Sequence, residues 1–412
     1  MTTGWRNIAG GVWHGAFLAT ALAFANVSVV VPAFVAELTG SSIWVGGLAA
    51  LLAVTASGPQ ILVARFVEPL PRKRPVLLGA IYLRALSWAA LALLIASAGE
   101  EHPQVVLIGL IGTIAVFAAG GAIGSVPFAD IVGKVIPPHR RGSFFAGRQA
   151  AGSLLGFGAA AVSGVVLARP YPENFATLFL LSALALAISS LGIWAIREPP
   201  AHTASSRLSW RDYFASLKEP LAALRSLAVV SWATGFGWLA VPFYVVVARR
   251  ELGVSDQATA WFVGASVAGA LVGNVSWGWI VDRYDSRHMI LACVIVATLT
   301  PLLALLAPTI GWQVLVVATG LTGATTTGKI VGYSSAVLEL APADRRSSYA
   351  GTFALLSLPT AFMPLIGGAI ASATSFQTLF VVTACALVIA VAVVWWWNRD
   401  RSDSDFRLTE TE

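Results

Sequence analysis

The sequence predicts an all-α polytopic membrane protein, with twelve transmembrane helices arranged as two pseudo-symmetric six-helix bundles. Three observations predict it: a very apolar composition, a series of apolar runs of membrane-spanning length, and a repeat between the two halves of the chain. The 412 residues are 57% hydrophobic and 11% charged, with a mean hydropathy of +0.78. Soluble domains carry about 25% charged residues, so most of this chain belongs in a bilayer.

Twelve segments are long and apolar enough to cross a bilayer, which takes about 20 residues of helix. The predicted spans are 9–36, 43–64, 75–98, 105–129, 149–169, 175–196, 226–248, 258–281, 289–307, 312–338, 349–371 and 376–397. Pro32, Pro59, Pro242, Pro359 and Pro364 lie inside spans. They predict bends, because neighbouring helices can satisfy the carbonyls that a proline leaves free.

The basic residues predict the orientation of the spans. With a cytoplasmic N-terminus, 21 of the 26 lysines and arginines fall in cytoplasmic segments, three in outer loops, and two, Arg84 and Lys329, inside spans. This bias follows the positive-inside rule and predicts that both termini are cytoplasmic. The net charge of +6 is therefore a topology signal, and no nucleic-acid partner is expected. Arginine outnumbers lysine 22 to 4, which favours a prokaryotic cytoplasmic (inner) membrane.

The longest connection between spans divides the chain into two halves. We predict an N-terminal six-helix half at 1–198, a cytoplasmic linker with a short amphipathic helix at 199–224, a C-terminal half at 225–398 and a cytoplasmic tail at 399–412. Residues of 175–194 recur 201 positions later, and residues of 138–147 recur 204 positions later. An even number of spans separates each pair, so the two halves have the same orientation, with a solute site expected between them.

A short motif follows span 8: Gly278, then Asp282-Arg283, then Arg287-His288. It resembles the loop signature G-x-x-x-D-R-x-x-R-[RK] of the major facilitator superfamily, and the resemblance extends over residues 5 to 399. It implies a secondary transporter in which this loop is a cytoplasmic gate latch and spans 1, 4, 7 and 10 line a central cavity. The equivalent loop after span 2 has Ala64 where the acid should be.

The leading candidates for solute binding lie on span 10. Thr322, Thr326, Lys329 and Tyr333 are spaced three to four residues apart and share one helix face. Lys329 is an ionisable residue at membrane depth, which indicates a functional site because it is costly there. We hypothesise that it binds an anionic group or a carbonyl of the solute. The alternative is a lysine that reaches to the cytoplasm or pairs with Asp130 or Glu339.

Four further residues are solute-binding candidates. Asn26 precedes a predicted bend in span 1, and Trp232 and Phe236 lie with Phe243 on one predicted face of span 7, where packing is the alternative role. Arg84 lies in span 3, one turn from Trp88, which could cover it by a cation–π contact. The alternative for Arg84 is a structural arginine paired with an interhelical carbonyl or with Asp130.

A second group of residues is assigned to gating or coupling. Its members are Asp282, Arg283, Arg287, Asp130, Arg141, Arg345 and His14. Asp130 is expected to be a latch partner of Arg65 or Arg141, or else a proton carrier. His14 is expected to be a hydrogen-bonded structural group or a proton switch. No carboxylate lies clearly at the midplane to carry a proton. Protons are therefore one candidate coupling ion, but the sequence identifies no residue dedicated to carrying them.

The absence of several known motifs argues against several classes of protein. The sequence contains no phosphate-binding loop, metalloprotease motif or nucleophile elbow, and its two cysteines lack metal-ligand spacing. We therefore expect no cofactor, no metal and no enzymatic activity.

The predicted function is secondary active transport of a small organic solute, leaning anionic or zwitterionic, by alternating access in a monomer. One alternative is an exporter of lipophilic or drug-like compounds. Two exporter signatures of the resembled family are missing, namely an arginine in span 4 and a Gly-Pro-x-x-Gly-Gly element in span 5. The other alternative is a non-transporting membrane sensor on the same fold, which the departure at Ala64 permits.

Overall fold

The computed structural model describes residues 3–57, 66–67, 70–137, 140–200, 218–342 and 346–409, and this part of the chain is helical without any strand. The helices are α1 Thr3–Phe24, α2 Val30–Thr39, α3 Ser42–Ser57, α4 Arg74–Ala98, α5 Pro103–Val135, α6 Arg141–Leu167, α7 Glu173–Ala195, α8 Lys218–Ala223, α9 Arg225–Gly235, α10 Phe243–Arg250, α11 Thr259–Arg283, α12 Ser286–Ile310, α13 Gln313–Leu340, α14 Arg346–Leu356, α15 Met363–Ala373 and α16 Phe376–Thr409. The 3₁₀ segments Phe236–Leu239 and Leu358–Phe362 join α9 to α10 and α14 to α15.

The helices agree with the predicted spans. Within the described residues, ten helical stretches are long and apolar enough to cross a membrane, judged by length and composition. They correspond to predicted spans 3 to 12. Span 1 is formed by α1 and α2 together, and span 2 begins with α3, after which residues 58–65, including Pro59, lie outside the described part. The prediction of an all-α polytopic membrane protein is confirmed.

Three spans are broken near their middle, each close to a proline at which a bend was predicted. In span 1, α1 ends at Phe24 and α2 begins at Val30, with Pro32 in its first turn. In span 7, Pro242 immediately precedes α10, and in span 11 Pro359 lies within the 3₁₀ segment. Proline lacks an N–H and disturbs the hydrogen bonds of a helix interior. A proline thus accompanies each break but does not by itself cause one, since Pro127 lies within the continuous helix α5 and Pro301 and Pro308 lie within α12.

Packing divides the helices into two groups that meet along three seams. In the N-terminal half α1 packs against α6 and α7, and α4 packs against α5 and α7; in the C-terminal half α13 packs against α11 and α12, and α16 packs against α12 and α9. The seams between the halves are α3 with α15, α6 with α11, and α2 with α10. By the repeat, span 2 is equivalent to span 8 and span 5 to span 11. The first seam, between spans 2 and 11, is therefore equivalent to the second, between spans 8 and 5, which agrees with two halves of the same orientation.

The α3–α15 seam is close because glycine lies on both sides of it. A Cβ atom on Gly46 would clash with the backbone carbonyl of Pro364, and one on Gly368 would clash with the carbonyl of Ser42. Small residues let helix backbones approach closely inside a membrane. The halves are therefore in backbone contact at the end of the bundle that carries Glu37, here called the Glu37 end. The opposite end, with Glu198, is called the Glu198 end.

Candidate functional site

A cavity of about 390 Å³ lies between the two halves. We call it the central cavity. It is bordered by the broken part of span 1, by α3, by the 3₁₀ segments of spans 7 and 11, and by α13. Its polar lining groups are the indole of Trp238 and the hydroxyls of Ser28, Ser57, Thr326, Ser357 and Thr360. Among the described residues its lining is otherwise apolar, and no charged side chain contributes to it.

Asn26 maintains the break in span 1 and does not line the cavity. Its side-chain Oδ1 accepts a hydrogen bond from the backbone N–H of Ser28 at 3.0 Å, and its carbonyl accepts one from Val31 at 3.0 Å. Asparagine favours such local hydrogen bonds at turns. This turn leaves Ser28 at the cavity wall.

Lys329 lies directly behind the cavity wall. Its Nζ donates a hydrogen bond to the backbone carbonyl of Thr234 at 2.9 Å and lies 5.0 Å from the centroid of the Trp238 ring. Trp238 lines both the central cavity and a small adjoining cavity that contains Lys329. Among the described side chains, no acidic group forms a salt bridge with Lys329, and Asp130 and Glu339, its expected alternative partners, bond elsewhere.

The other polar residues of span 10 divide between the two cavities. Thr326 lines both the central cavity and the small cavity of Lys329, whereas Thr322 lines only the latter. The hydroxyl of Tyr333 is hydrogen-bonded to the hydroxyl of Thr234 at 2.5 Å. The predicted polar face therefore exists, but Trp238 stands between most of it and the central cavity.

The predicted aromatic face of span 7 is wrong. Phe243 is fully buried, whereas Trp232 and Phe236 are exposed, and the indole of Trp232 donates to the carbonyl of Leu356 at 2.6 Å. The 3₁₀ segment at 236–239 changes the helical period, so residues on either side of it no longer share a face. Trp238, which the sequence reasoning missed, is the aromatic residue of this span that reaches the cavity.

Arg84 and His14 lie together in a second cavity inside the N-terminal half. The guanidinium of Arg84 lies 4.3 Å from the ring centroid of Phe117. The expected contact with Trp88 does not form, because the Trp88 ring stacks against Phe179 at 4.8 Å. Arg148, which immediately precedes predicted span 5, also lines this cavity.

An ion-pair network holds the Glu198 end of the N-terminal half together. Asp130 pairs with Lys73 at 2.9 Å and with Lys134 at 2.5 Å, and Lys134 also reaches Glu198 at 3.4 Å. The Glu198 carboxylate accepts hydrogen bonds from the backbone N–H groups of Lys73, which immediately precedes α4, and of Arg74, the first residue of α4. The described partners of Asp130 are thus lysines; Arg65 and the side chain of Arg141 lie outside the described part.

The loop motif after α11 is stabilised by a helix cap. The Asp285 carboxylate accepts hydrogen bonds from the backbone N–H of His288 at 2.7 Å and from its ring Nδ1 at 2.8 Å, at the start of α12. The guanidinium of Arg283 lies 5.8 Å from the Trp279 ring, and that of Arg287 lies 5.0 Å from the Trp397 ring. The Asp282 side chain and all of Arg345 lie outside the described part.

The Glu37 end has a polar contact across the halves that the sequence reasoning missed. Arg249 of α10 pairs with Glu37 of α2 at 2.9 Å and with Asp256, and it donates to the carbonyl of Ala33 at 3.1 Å. Arg250 donates to the carbonyl of Ala36 at 2.8 Å. The sequence signal was present, since one acid and two arginines lie at the ends of spans 1 and 7, but their proximity depends on the packing of the halves.

Comparisons with known proteins agree with this architecture. Residues 227–411 match the family model described as Major Facilitator Superfamily. The solute carrier family 2, facilitated glucose transporter member 8, of Mus musculus is 28% identical over 100 residues; that match spans 24% of this chain and 20% of the relative.

Similar solved structures cover almost the whole chain. The nucleoside transporter NupG has a TM-score of 0.66 at 15% identity, covering 96% of this chain and 98% of that one. A POT family transporter in complex with a thioalcohol-conjugated peptide has a TM-score of 0.71 at 12% identity, with 96% of each chain covered. A bacterial homolog of the human lysosomal transporter Spinster, inward-facing and occupied, has a TM-score of 0.66 at 15% identity, with 96% of each covered.

Proposed function

We propose that this chain is a membrane transporter of the major facilitator superfamily, and we propose a solute class and a transport cycle for it. The solute is a small organic anion or zwitterion with an apolar part, moved by secondary transport through alternating access of residues 1–198 against 225–398. The observation that carries the proposal is the position of Lys329, a membrane-embedded ammonium without an acidic partner among the described side chains, one indole away from the central cavity.

The chemistry of Lys329 favours an acidic solute. A charged group removed from water is costly unless it is paired, and one carbonyl with one aromatic face compensates only part of that cost. Rotation of the Trp238 side chain would bring the ammonium to the cavity, where a carboxylate could pair with it. Thr326 and Thr322 lie beside this path and offer neutral hydrogen bonds.

The rest of the central cavity fits an apolar body. Most of its lining is aliphatic or aromatic, with hydroxyls at a few positions. Ligand sites of this kind bind by apolar burial and orient the ligand with a few polar groups. An amphipathic solute with one acidic group satisfies both parts of the site.

The contacts at the Glu37 end support a state that is closed at that end. The Arg249 pairs with Glu37 and Asp256, together with the glycine contacts of the α3–α15 seam, join the halves there. Under the topology predicted from the basic residues, this end faces outside, so the state would be open towards the cytoplasm. Transport would then require these contacts to break while the halves rock about the seams, with protons as one candidate coupling ion.

The apolar lining also favours a second candidate, export of lipophilic compounds. A cavity without a charged lining group among the described residues would accept an uncharged or cationic lipophilic solute as long as Trp238 keeps its position. The two candidates differ in one respect: only the first needs the charge of Lys329.

A thermal-shift screen on the purified full chain tests both candidates. Benzoate, phenylalanine and tetraphenylphosphonium represent the anionic, zwitterionic and lipophilic cationic classes, and stabilising compounds are then tested for uptake into proteoliposomes with and without a pH gradient. The variants are Lys329→Met, which removes the charge, and Arg169→Met, which removes a charge from an exposed residue.

We expect stabilisation and uptake of the carboxylate compounds, with both lost in Lys329→Met and retained in Arg169→Met. If only tetraphenylphosphonium stabilises the protein and is transported, the exporter is the correct candidate. Carboxylate uptake that is unchanged in Lys329→Met would remove this residue from the site.

A further inference from the structure

A second cavity, of about 200 Å³, lies inside the N-terminal half between α1, α4, α5 and α6. We call it the arginine cavity. Its polar lining groups are Arg84 from α4, Arg148 from α6, His14 from α1 and Ser125 from α5. None of the described residues that line it is acidic. It is therefore a cavity inside the membrane-spanning bundle with two permanent positive charges.

Arg84 has few partners for its charge. Its guanidinium lies over the Phe117 ring at 4.3 Å, and its Nε is buried without a hydrogen-bond partner in the structure. The side chain packs against Gly120 and Gly121, where a Cβ on Gly120 would clash with it. The two glycines thus make room for the guanidinium beside α5.

Arg148 and His14 complete the arginine cavity from the other side. The guanidinium of Arg148 lies 4.5 Å from the Phe128 ring centroid. The His14 side chain is 4% exposed, and its Nδ1 is buried without a hydrogen-bond partner, while the ring also bonds to the backbone of Ser189. Both guanidiniums are close enough to His14 to act on it electrostatically. An unpartnered ring nitrogen in a polar cavity needs a ligand or an ordered water.

The charge of the arginine cavity is not balanced by an acid within the described part of the chain. Neither Arg84 nor Arg148 has a salt bridge there, and Asp130, on the same helix as Ser125, pairs with Lys73 and Lys134. Arginine inside a membrane protein is costly and is normally paired. Two cation–π contacts compensate only part of that cost.

We propose that the arginine cavity is a binding site for a small oxyanion, a carboxylate or a phosphate, held between the guanidiniums of Arg84 and Arg148 with His14 and Ser125 as hydrogen-bonding neighbours. Guanidinium groups suit this ligand, because their planar N–H groups match the oxygens of carboxylate and phosphate. The oxyanion is either a separate ion or the acidic group of a solute. The site is distinct from the central cavity, and the proposal does not rest on the proposed function.

Isothermal titration of the purified full chain in nanodiscs tests the site, with sodium acetate and inorganic phosphate as probes at constant ionic strength set by sodium chloride. The variants are Arg84→Gln, Arg148→Gln and Arg84→Lys, the last of which keeps the positive charge. Arg74→Gln is the matched control, since Arg74 lies over the Trp194 ring outside the cavity. Thermal unfolding of each variant confirms that it is folded.

We expect saturable binding of at least one probe, weakened about tenfold or more in Arg84→Gln and Arg148→Gln, less in Arg84→Lys, and unchanged in Arg74→Gln. The weakening caused by Arg84→Gln and Arg148→Gln should persist in the Lys329→Met background, which separates the arginine cavity from the central cavity. Competition between acetate and a transported carboxylate would identify the oxyanion as part of the solute, and independent binding would identify a separate ion. Absence of saturable binding, or equal affinity in all variants, would overturn the proposal.

Discussion

The ammonium of Lys329 lies 5.0 Å from the centre of the Trp238 ring, and Trp238, not Lys329, lines the central cavity. The indole therefore separates a membrane-embedded positive charge from the space in which a solute would bind. The aromatic face compensates part of the cost of the charge, and its removal would expose that charge to the cavity. Access to Lys329 from the central cavity thus depends on the rotamer of the Trp238 side chain.

Replacing Trp238 should make Lys329 reachable. The chain has four lysines, so acylation by an amine-reactive reagent can be assigned to each one by mass spectrometry. Loss of a cation–π contact of about 0.5 to 2 kcal/mol should raise the acylation rate of Lys329 roughly two- to thirtyfold in Trp238→Ala. Trp238→Phe keeps an aromatic face and is the control with a smaller expected increase. Equal rates in the wild type and Trp238→Ala would show that the indole does not limit access.

Weakening the pair between Glu37 and Arg249 should favour opening of the Glu37 end. An exposed ion pair contributes about 0.2 to 1 kcal/mol, so Glu37→Gln should increase the open population by a factor of about 1.4 to 5. Ile43 and Ile366 are both exposed, and spin labels on Ile43→Cys and Ile366→Cys report the separation of α3 and α15 by pulsed electron paramagnetic resonance. The exposed Cys385 is first replaced by serine, while Cys293 is buried. An unchanged distance distribution would mean that the pair does not hold the halves together.

Two adjacent glycines provide a matched test of the α3–α15 seam. Gly46→Val places a side chain against the Pro364 carbonyl and should force the helices apart, because backbone cannot yield as a flexible side chain can. Gly47→Val is the control, since its Cβ would have ordinary contact with Leu365 at 3.8 Å. Gly46→Val should lengthen the same label distance or lower thermal stability, with a smaller effect of Gly47→Val. Indistinguishable variants would contradict the close seam.

The cap at the start of α12 should depend on pH. Burial raises the pKa of Asp285, but hydrogen bonds from the backbone and ring of His288 outweigh it and place the pKa below its ordinary value. A carboxyl with a lowered folded-state pKa stabilises the fold above its unfolded pKa, and this contribution is lost as the pH falls through the folded pKa. Asp285→Ala should therefore destabilise the protein by about 0.5 to 2 kcal/mol at neutral pH.

The thermal midpoints of the wild type and Asp285→Ala should converge below about pH 4, where the free carboxyl becomes protonated. Asp285→Asn is the control, because asparagine caps helices well without titrating in this range. Its midpoint should stay close to that of the wild type at neutral pH. A constant difference between the wild type and Asp285→Ala at all pH values would refute the role of the ionised cap.

The candidate site was only partly predictable from the sequence, and particular residues show why. The spacing of Thr322, Thr326, Lys329 and Tyr333 correctly placed them on one helix, but it could not show that Trp238 of another span covers Lys329. The face proposed for Trp232, Phe236 and Phe243 failed because a 3₁₀ segment interrupts the helical period. Asp130 was recognised as an ion-pair partner, whereas its pairing with Lys73 and Lys134 depends on how α4 meets α5.

The helical membrane architecture could be predicted from the sequence alone, because the length and apolar character of each span follow from composition along the chain. Proline positions also indicated the broken spans 1, 7 and 11, although Pro127 and Pro301 lie within continuous helices. Which charges meet depends on how the helices pack: Arg249 reaches Glu37, and Arg84 shares a cavity with Arg148 and His14. Such groups lie on different helices, and a one-dimensional pattern carries no information on the rotation and height at which helices pack.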